Sequence, residues 1–240
     1  MSLNLLALLV LHGYRRGSLR RPITLIVLLS VPIAILATMT RAVWLSSGAS
    51  MVALVLLFKN SKLRLAFTAV LLLAIAGLAV VVSATQLGGA LGDRLEESAP
   101  VDYRKAVYAG GWQMFFERPH IGWGFHQMPA DLPNYVSEFH GKVLYPHNTY
   151  LEILVENGVL GFLLYAWLMW ELWRLGCAGL VGRKTEGLLD SEFRRYWPIL
   201  LAVYWVNAAV VVMSYQFVNG ILFSVAGMLA AQRRRAEVGA

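Results

Sequence analysis

Apolar runs of roughly membrane-crossing length alternate with short basic connectors along most of the chain, and one long stretch breaks that rhythm. Residues 22–40, 42–58 and 65–85 are three spanning candidates before it, and residues 159–173, 197–213 and 220–231 are three more after it. The last run is short, about twelve residues, so its start near Phe217 is expected to tilt or to enter the membrane only partway. Residues 1–11 are also apolar, but at roughly 1.5 Å per residue they cover about half of a hydrocarbon core of about 30 Å. The pattern predicts an all-α integral membrane protein. It has about six transmembrane helices plus a partial one at the N-terminus, in a single unit over 1–240, with a large polar loop at 86–157. The short first run ends in a strongly basic segment where a preceding helix would emerge. The chain is therefore expected to be the C-terminal part of a longer architecture, truncated at its N-terminus and of reduced activity alone.

Composition agrees with the pattern. Hydrophobic residues make up 58% and charged residues 15% of the chain, with a mean hydropathy of +0.59. That leaves too little polar surface to cover a soluble globule of 240 residues. A net charge of +7 would suit a nucleic-acid partner if the cations shared one face. Instead fifteen of the 21 Lys and Arg residues fall in the segments 12–21, 59–64, 174–196 and 232–240. This is the positive-inside pattern, and it argues against nucleic acid. It puts those segments and the C-terminus in the cytoplasm of a multi-pass protein, and Arg41 and the 86–157 loop on the outer, periplasmic side. The one cysteine, Cys177, excludes an intramolecular disulfide and any CxxC motif, and lies in the cytoplasmic loop 174–196.

Chemistry is therefore sought in the polar stretch. Pro100, Asp102 and Pro119 delimit a helix at about 100–117, on which Arg104 shares a face with Tyr108, Gly111 and Phe115. Arg104 is either a phosphate clamp or a cation snorkelling from a helix that lies on the membrane. Arg41 stands between two apolar runs with no polar loop around it, and a charge there needs a partner or a task. It either snorkels at the outer face or binds a diphosphate head group, which suits the planar guanidinium fork.

His147 follows Pro146, and Thr149 with Glu152 fits a capping box, so a helix is expected to start just after His147. A helix N-terminus disfavours an added positive charge, which keeps the imidazole neutral and available as a base, and its free N–H groups favour an anion. The plainer reading is an interfacial histidine at a helix end. Glu152 is assigned to the cap, and Glu156 is left to orient a histidine, bind sugar hydroxyls or face solvent. Asn157 and Gly158 form a helix stop.

His120, His126, His140 and His147 share the loop with acidic residues, but no HExxH or paired spacing supports a metal. Gly122 and Gly124 do not extend to GxGxxG and are expected to allow a tight loop after Pro119. No GxSxG elbow is present.

Arg104, Pro119, Gly122, Gly124, His147, Asn148, Glu156 and Gly158, with the Thr40-Arg41-Ala42 step upstream, resemble the signature of the O-antigen ligase and polymerase family. The resemblance implies a GT-C-like membrane glycosyltransferase of the bacterial inner membrane that needs no metal or other cofactor. Its donor would be an undecaprenyl-diphosphate-linked glycan. Its acceptor would be a saccharide, either lipid A core or a growing polysaccharide, with protein glycosylation as a further variant. It also implies that His147 activates the acceptor hydroxyl while Arg41 and Arg104 neutralise the leaving diphosphate. Tyr108, Gly122, Gly124, Asn148 and Glu156 would line the substrate. A channel or transporter, and a non-catalytic assembly subunit, are the competing classes. The spans lack mid-membrane acidic pairs or broken-helix motifs, which weighs against transport.

Overall fold

The computed structural model describes residues 10, 20–37, 41–57, 68, 99–136, 144–177, 191–210 and 216–238. Their regular structure is helical: α1 (Arg21–Ala37), α2 (Arg41–Leu57), α3 (Ala99–Glu117), the short α4 (Gln127–Asp131) running into a 3-10 turn (Leu132–Asn134), α5 (Thr149–Cys177), α6 (Ser191–Ala208) and α7 (Gln216–Val238). No strand occurs among the described residues. The expected helix at 100–117 is α3, one residue longer at its start.

Among the described residues one helix, Thr149–Gly176, is both long and apolar enough to cross a membrane. Only 22% of its most apolar window is buried in the protein. Leu160, Leu163, Leu164, Trp167 and Trp170 are all exposed. A soluble core helix would hide these side chains, so their natural solvent is lipid. The other expected spans stand on shorter or more charged helices. α1 and α2 each have 17 residues, which is about 25 Å of helix. Apart from residue 68, the candidate at 65–85 lies outside the described residues, as does the start of the polar loop.

Three boundaries differ from the hydropathy reading. The segment 174–196, expected as a polar loop, gives α5 its last turn through Cys177 and α6 its first turn from Ser191. The last helix is not a twelve-residue stub but 23 residues, continuing through Gln232 and three arginines. Arginine is a good helix former, and cations at a helix C-terminus complement its dipole. A hydropathy window stops where the apolar run stops, whereas the backbone does not.

Two cores form. The first joins α5, α6 and α7 through Met169, Leu172, Trp197, Leu200, Leu201, Tyr204, Leu222, Val225 and Leu229. Trp197 is fully buried and donates its indole N–H to the Leu172 carbonyl at 2.7 Å. Gly176 leaves the room that the indole fills, since a Cβ there would overlap the ring. α2 is tied to α6 by buried Asn207, whose amide donates to Ser46 Oγ at 2.9 Å and to the Val203 carbonyl at 2.7 Å. The second core joins α3, α4 and the first turns of α5 through Val107, Met114, Met128, Leu132, Val136, Leu144, Leu151 and Val155. Tyr150 ties the first turn of α5 to α6, its hydroxyl donating to the Trp205 carbonyl at 2.8 Å.

Replacing Trp197 by Ala would empty the centre of the first core and remove its hydrogen bond, an expected loss of about 3 kcal/mol. A thermal-unfolding scan of the detergent-solubilised variant checks this through a clear fall in the midpoint. An unchanged midpoint would show that the α5–α6 contact carries little of the stability.

Candidate functional site

α5 is divided at Gly158, which has φ 63° and ψ −170° between two stretches of ordinary helix. This backbone conformation is open to glycine and essentially closed to other residues. An unbroken helix would bond the N–H of Val159 to the carbonyl of Val155, and that of Leu160 to Glu156. Here the loop after α3 takes both sides of that exchange. Val159 and Leu160 donate to the carbonyls of Pro119 and His120 at 2.8 and 3.3 Å. Trp123 and Gly124 donate to the carbonyls of Val155 and Glu156, both at 2.9 Å. These four backbone groups are all paired again, which matters beside a membrane, where an unpaired group costs several kcal/mol.

The two glycines expected to shape a tight loop sit inside this clasp. Gly122 has φ 73° and Gly124 φ 108°. A Cβ on Gly122 would overlap the Glu156 carbonyl, and one on Gly158 would overlap the His120 carbonyl. Glu156 is 5% exposed. The backbone N–H groups of His126 and Met128 point at its carboxylate, while its Oε1 has no hydrogen-bond partner among the described residues. Its side chain thus joins α5 to the start of α4 and does not face solvent. Trp123 fastens the loop to α3, its indole N–H donating to the Met114 carbonyl at 2.7 Å.

The helix start expected after His147 is present, but its cap differs. Asn148, not Thr149, is the capping residue, its Oδ1 accepting from the N–H groups of Tyr150 and Leu151 at 3.1 and 3.2 Å. Asparagine is among the best residues for this position. Thr149 is the first helical residue and is buried. Glu152 donates its backbone N–H to the Asn148 carbonyl. The capping box is therefore set aside in favour of an asparagine cap one residue earlier.

His147 itself takes φ 46°, uncommon for a residue with a side chain. Its position is held by Tyr103, whose hydroxyl accepts from the Tyr145 N–H at 2.9 Å and donates to the Tyr145 carbonyl at 3.3 Å. The Tyr103 and His147 ring centres are 6.4 Å apart. Nothing in the residue pattern marks Tyr103, since a single half-buried tyrosine beside a candidate arginine carries no periodic signal. Arg104, on the next position of α3, is close enough for its charge to act on the imidazole. Burial of the ring by its surroundings first, and the Arg104 guanidinium second, hold the His147 pKa below the ordinary histidine value. The second, independent reason for a neutral imidazole is the helix N-terminus that it precedes. Tyr108 lies one turn along α3 from Arg104, partly buried against the second core. Arg41 is the first residue of α2; the expectation for its side chain lies outside the described residues. No group of three or more His, Cys, Asp or Glu side chains able to hold a metal occurs among the described residues.

A helical protein whose one long apolar helix among the described residues keeps most of that face exposed, with a polar block carrying histidine and arginine where the helix begins, fits the class of membrane proteins. The sequence profile of the O-antigen ligase family matches residues 24–166, more than half of the chain, and the chain belongs to that family. The matched range includes the Arg104 helix, the 119–124 loop, His147 and the Gly158 break. Members are glycosyltransferase-like membrane enzymes of O-antigen polysaccharide. No curated protein and no solved structure matches the chain.

Gly158→Ala is expected to destabilise the protein by more than about 3 kcal/mol, because it combines a forbidden backbone conformation with overlap on a carbonyl. Gly227→Ala, where a Cβ meets nothing within 4 Å in the middle of α7, should be neutral or stabilising by up to about 1 kcal/mol. Comparing the two unfolding midpoints tests the clasp. Equal midpoints would mean that the break at Gly158 is not fixed by the loop.

Proposed function

We propose that the protein transfers a glycan from an undecaprenyl-diphosphate carrier to an acceptor hydroxyl on the periplasmic face of the bacterial inner membrane. His147 is the general base and Arg104, with Arg41, the diphosphate-binding pair. The observation that carries this reading is the placement of His147 just before the α5 start, where burial and the Arg104 charge both disfavour its protonated form. A neutral histidine accepts the proton of a sugar hydroxyl as the oxygen attacks the anomeric carbon. The bond from that carbon to the diphosphate breaks as attack proceeds, so negative charge grows on the leaving group. A fixed guanidinium stabilises it more in the transition state than in the ground state. Tyr108, Asn148, Glu156, Gly122 and Gly124 complete the site by shaping its floor and holding the helix start to which His147 is attached. Membership of the O-antigen ligase family supports the substrate class, a lipid-linked polysaccharide and an acceptor glycan.

The test is transfer by the reconstituted protein from a radiolabelled lipid-linked glycan. His147→Ala should lower the rate by about 10²–10⁴-fold with normal expression and insertion. Near-normal transfer by that variant would remove His147 as the base, and a silent wild type would favour an assembly subunit or transporter. Arg104→Lys should weaken transfer, because an ammonium does not reproduce the bidentate fork on a phosphate.

The pH profile gives a separate check. The base works only when neutral, and its pKa lies below the usual 6.5. Transfer should therefore rise with pH through a midpoint under 6.5 and be level by neutrality. Arg104→Gln removes a charge that opposes protonation, so that midpoint should move upward. A midpoint unmoved by Arg104→Gln would separate the two groups.

A further inference from the structure

Outside the site, the least explained surface is on the clasp loop itself. Phe125 is 85% exposed and Ile121 77% exposed, the two most exposed large apolar side chains among the described residues. Water is a poor environment for either, and a well-ordered loop has no need to display both. Their height relative to the spanning helix is fixed by backbone contacts. A Cβ on Gly158 would lie 2.6 Å from the Ile121 nitrogen, so Ile121 is level with the break where the uncharged part of α5 begins. His120, its neighbour, accepts from the Leu160 N–H, and Leu160 starts the exposed apolar face of α5, continued by Leu163, Leu164 and Trp167. Phe125 follows Gly124, which is bonded one helical turn further from the membrane, at Glu156. Arg118 completes the loop, its guanidinium 4.3 Å above the Trp123 ring.

We propose that residues 118–126 form a membrane-surface anchor, in which Ile121 and Phe125 insert into the lipid at the point where α5 enters it and Arg118 lies among the head-group phosphates. The occupant is the bilayer because the patch is continuous with the exposed apolar face of α5, the described helix long and apolar enough to cross a membrane. A loop that enters the interface carries apolar side chains about 5–10 Å deep, with aromatic and cationic groups at the head-group level. The arrangement has a use. The clasp ties the loop to α3 and α4, so anchoring the loop sets the height of the polar block above the membrane. This inference depends on the geometry of the loop and not on the glycan-transfer reading.

The test places a nitroxide label at residue 121 or 125 in a Cys177→Ala background, with the full chain in nanodiscs of phosphatidylcholine and phosphatidylglycerol. Asn134, exposed on the 3-10 turn, provides the reference position. Labels at 121 and 125 should collide with oxygen, which concentrates in lipid, several-fold more than with a water-soluble nickel chelate, relative to the label at 134. The label at 121 should be the deeper of the two. Both positions are exposed, so cysteine should be tolerated, and an unchanged unfolding midpoint for each labelled protein verifies that. Collision ratios equal to that at 134 would overturn the anchor. Spin–spin broadening that vanishes on dilution with unlabelled protein would overturn it too, by showing that a second copy covers the patch.

Discussion

The exchange of four backbone hydrogen bonds between the 119–124 loop and the break in α5 is the constraint on which the rest depends. A glycine in a conformation closed to other residues opens the helix, and the opening would be costly if its two donors and two acceptors stayed unpaired. The loop supplies two carbonyls and two N–H groups in matching order, so the break becomes a junction. The apolar part of the helix can then serve the membrane while the part before the break serves a polar block.

Packing carries the consequence outward from that junction. Val155 and Leu151, on the turns before the break, are buried against Val107, Met114 and Met128. Glu156 reaches the start of α4, and Trp123 reaches the end of α3. α3 is therefore held along its length, and its first turns bring Tyr103 and Arg104 to the chain just before α5. Tyr103 binds both backbone groups of Tyr145, which orients the approach to Pro146, His147 and the Asn148 cap. An arginine and a histidine 43 positions apart in sequence are thereby brought close enough for the guanidinium charge to act on the imidazole.

How much of this was legible in the sequence depends on whether the information was local. The α3 limits, the helix start after His147 and the glycine-bearing turn after Pro119 rest on proline, asparagine and glycine, which act through their own backbone. The cap was shifted by one residue because Asn148 and Thr149 both have side chains suited to it, and only tertiary packing, which buries Thr149, decides between them. The length of α7 was missed because hydropathy registers lipid affinity and not helical hydrogen bonding. The burial of Glu156 was not legible at all, since it depends on a loop more than thirty positions upstream. Neither was the role of Tyr103, whose partner is a backbone 42 residues away.

The residues of the family signature therefore divide by physical task. Pro119, Gly122, Gly124, Glu156 and Gly158 are engaged with one another or with neighbouring backbone, whereas Arg104 and His147 are held beside one another at the edge of that framework. The pairing has a definite electrostatic sense. A carboxylate beside the imidazole would favour its protonated form, but a guanidinium favours the neutral form and keeps its own charge for an anion. On the proposed reading, with His147 as base and Arg104 as anion-binding cation, the arrangement suits a reaction that takes a proton from one group while negative charge grows on another. The clasp makes that pairing possible by spending backbone hydrogen bonds, not side-chain charge, on holding the two helices together.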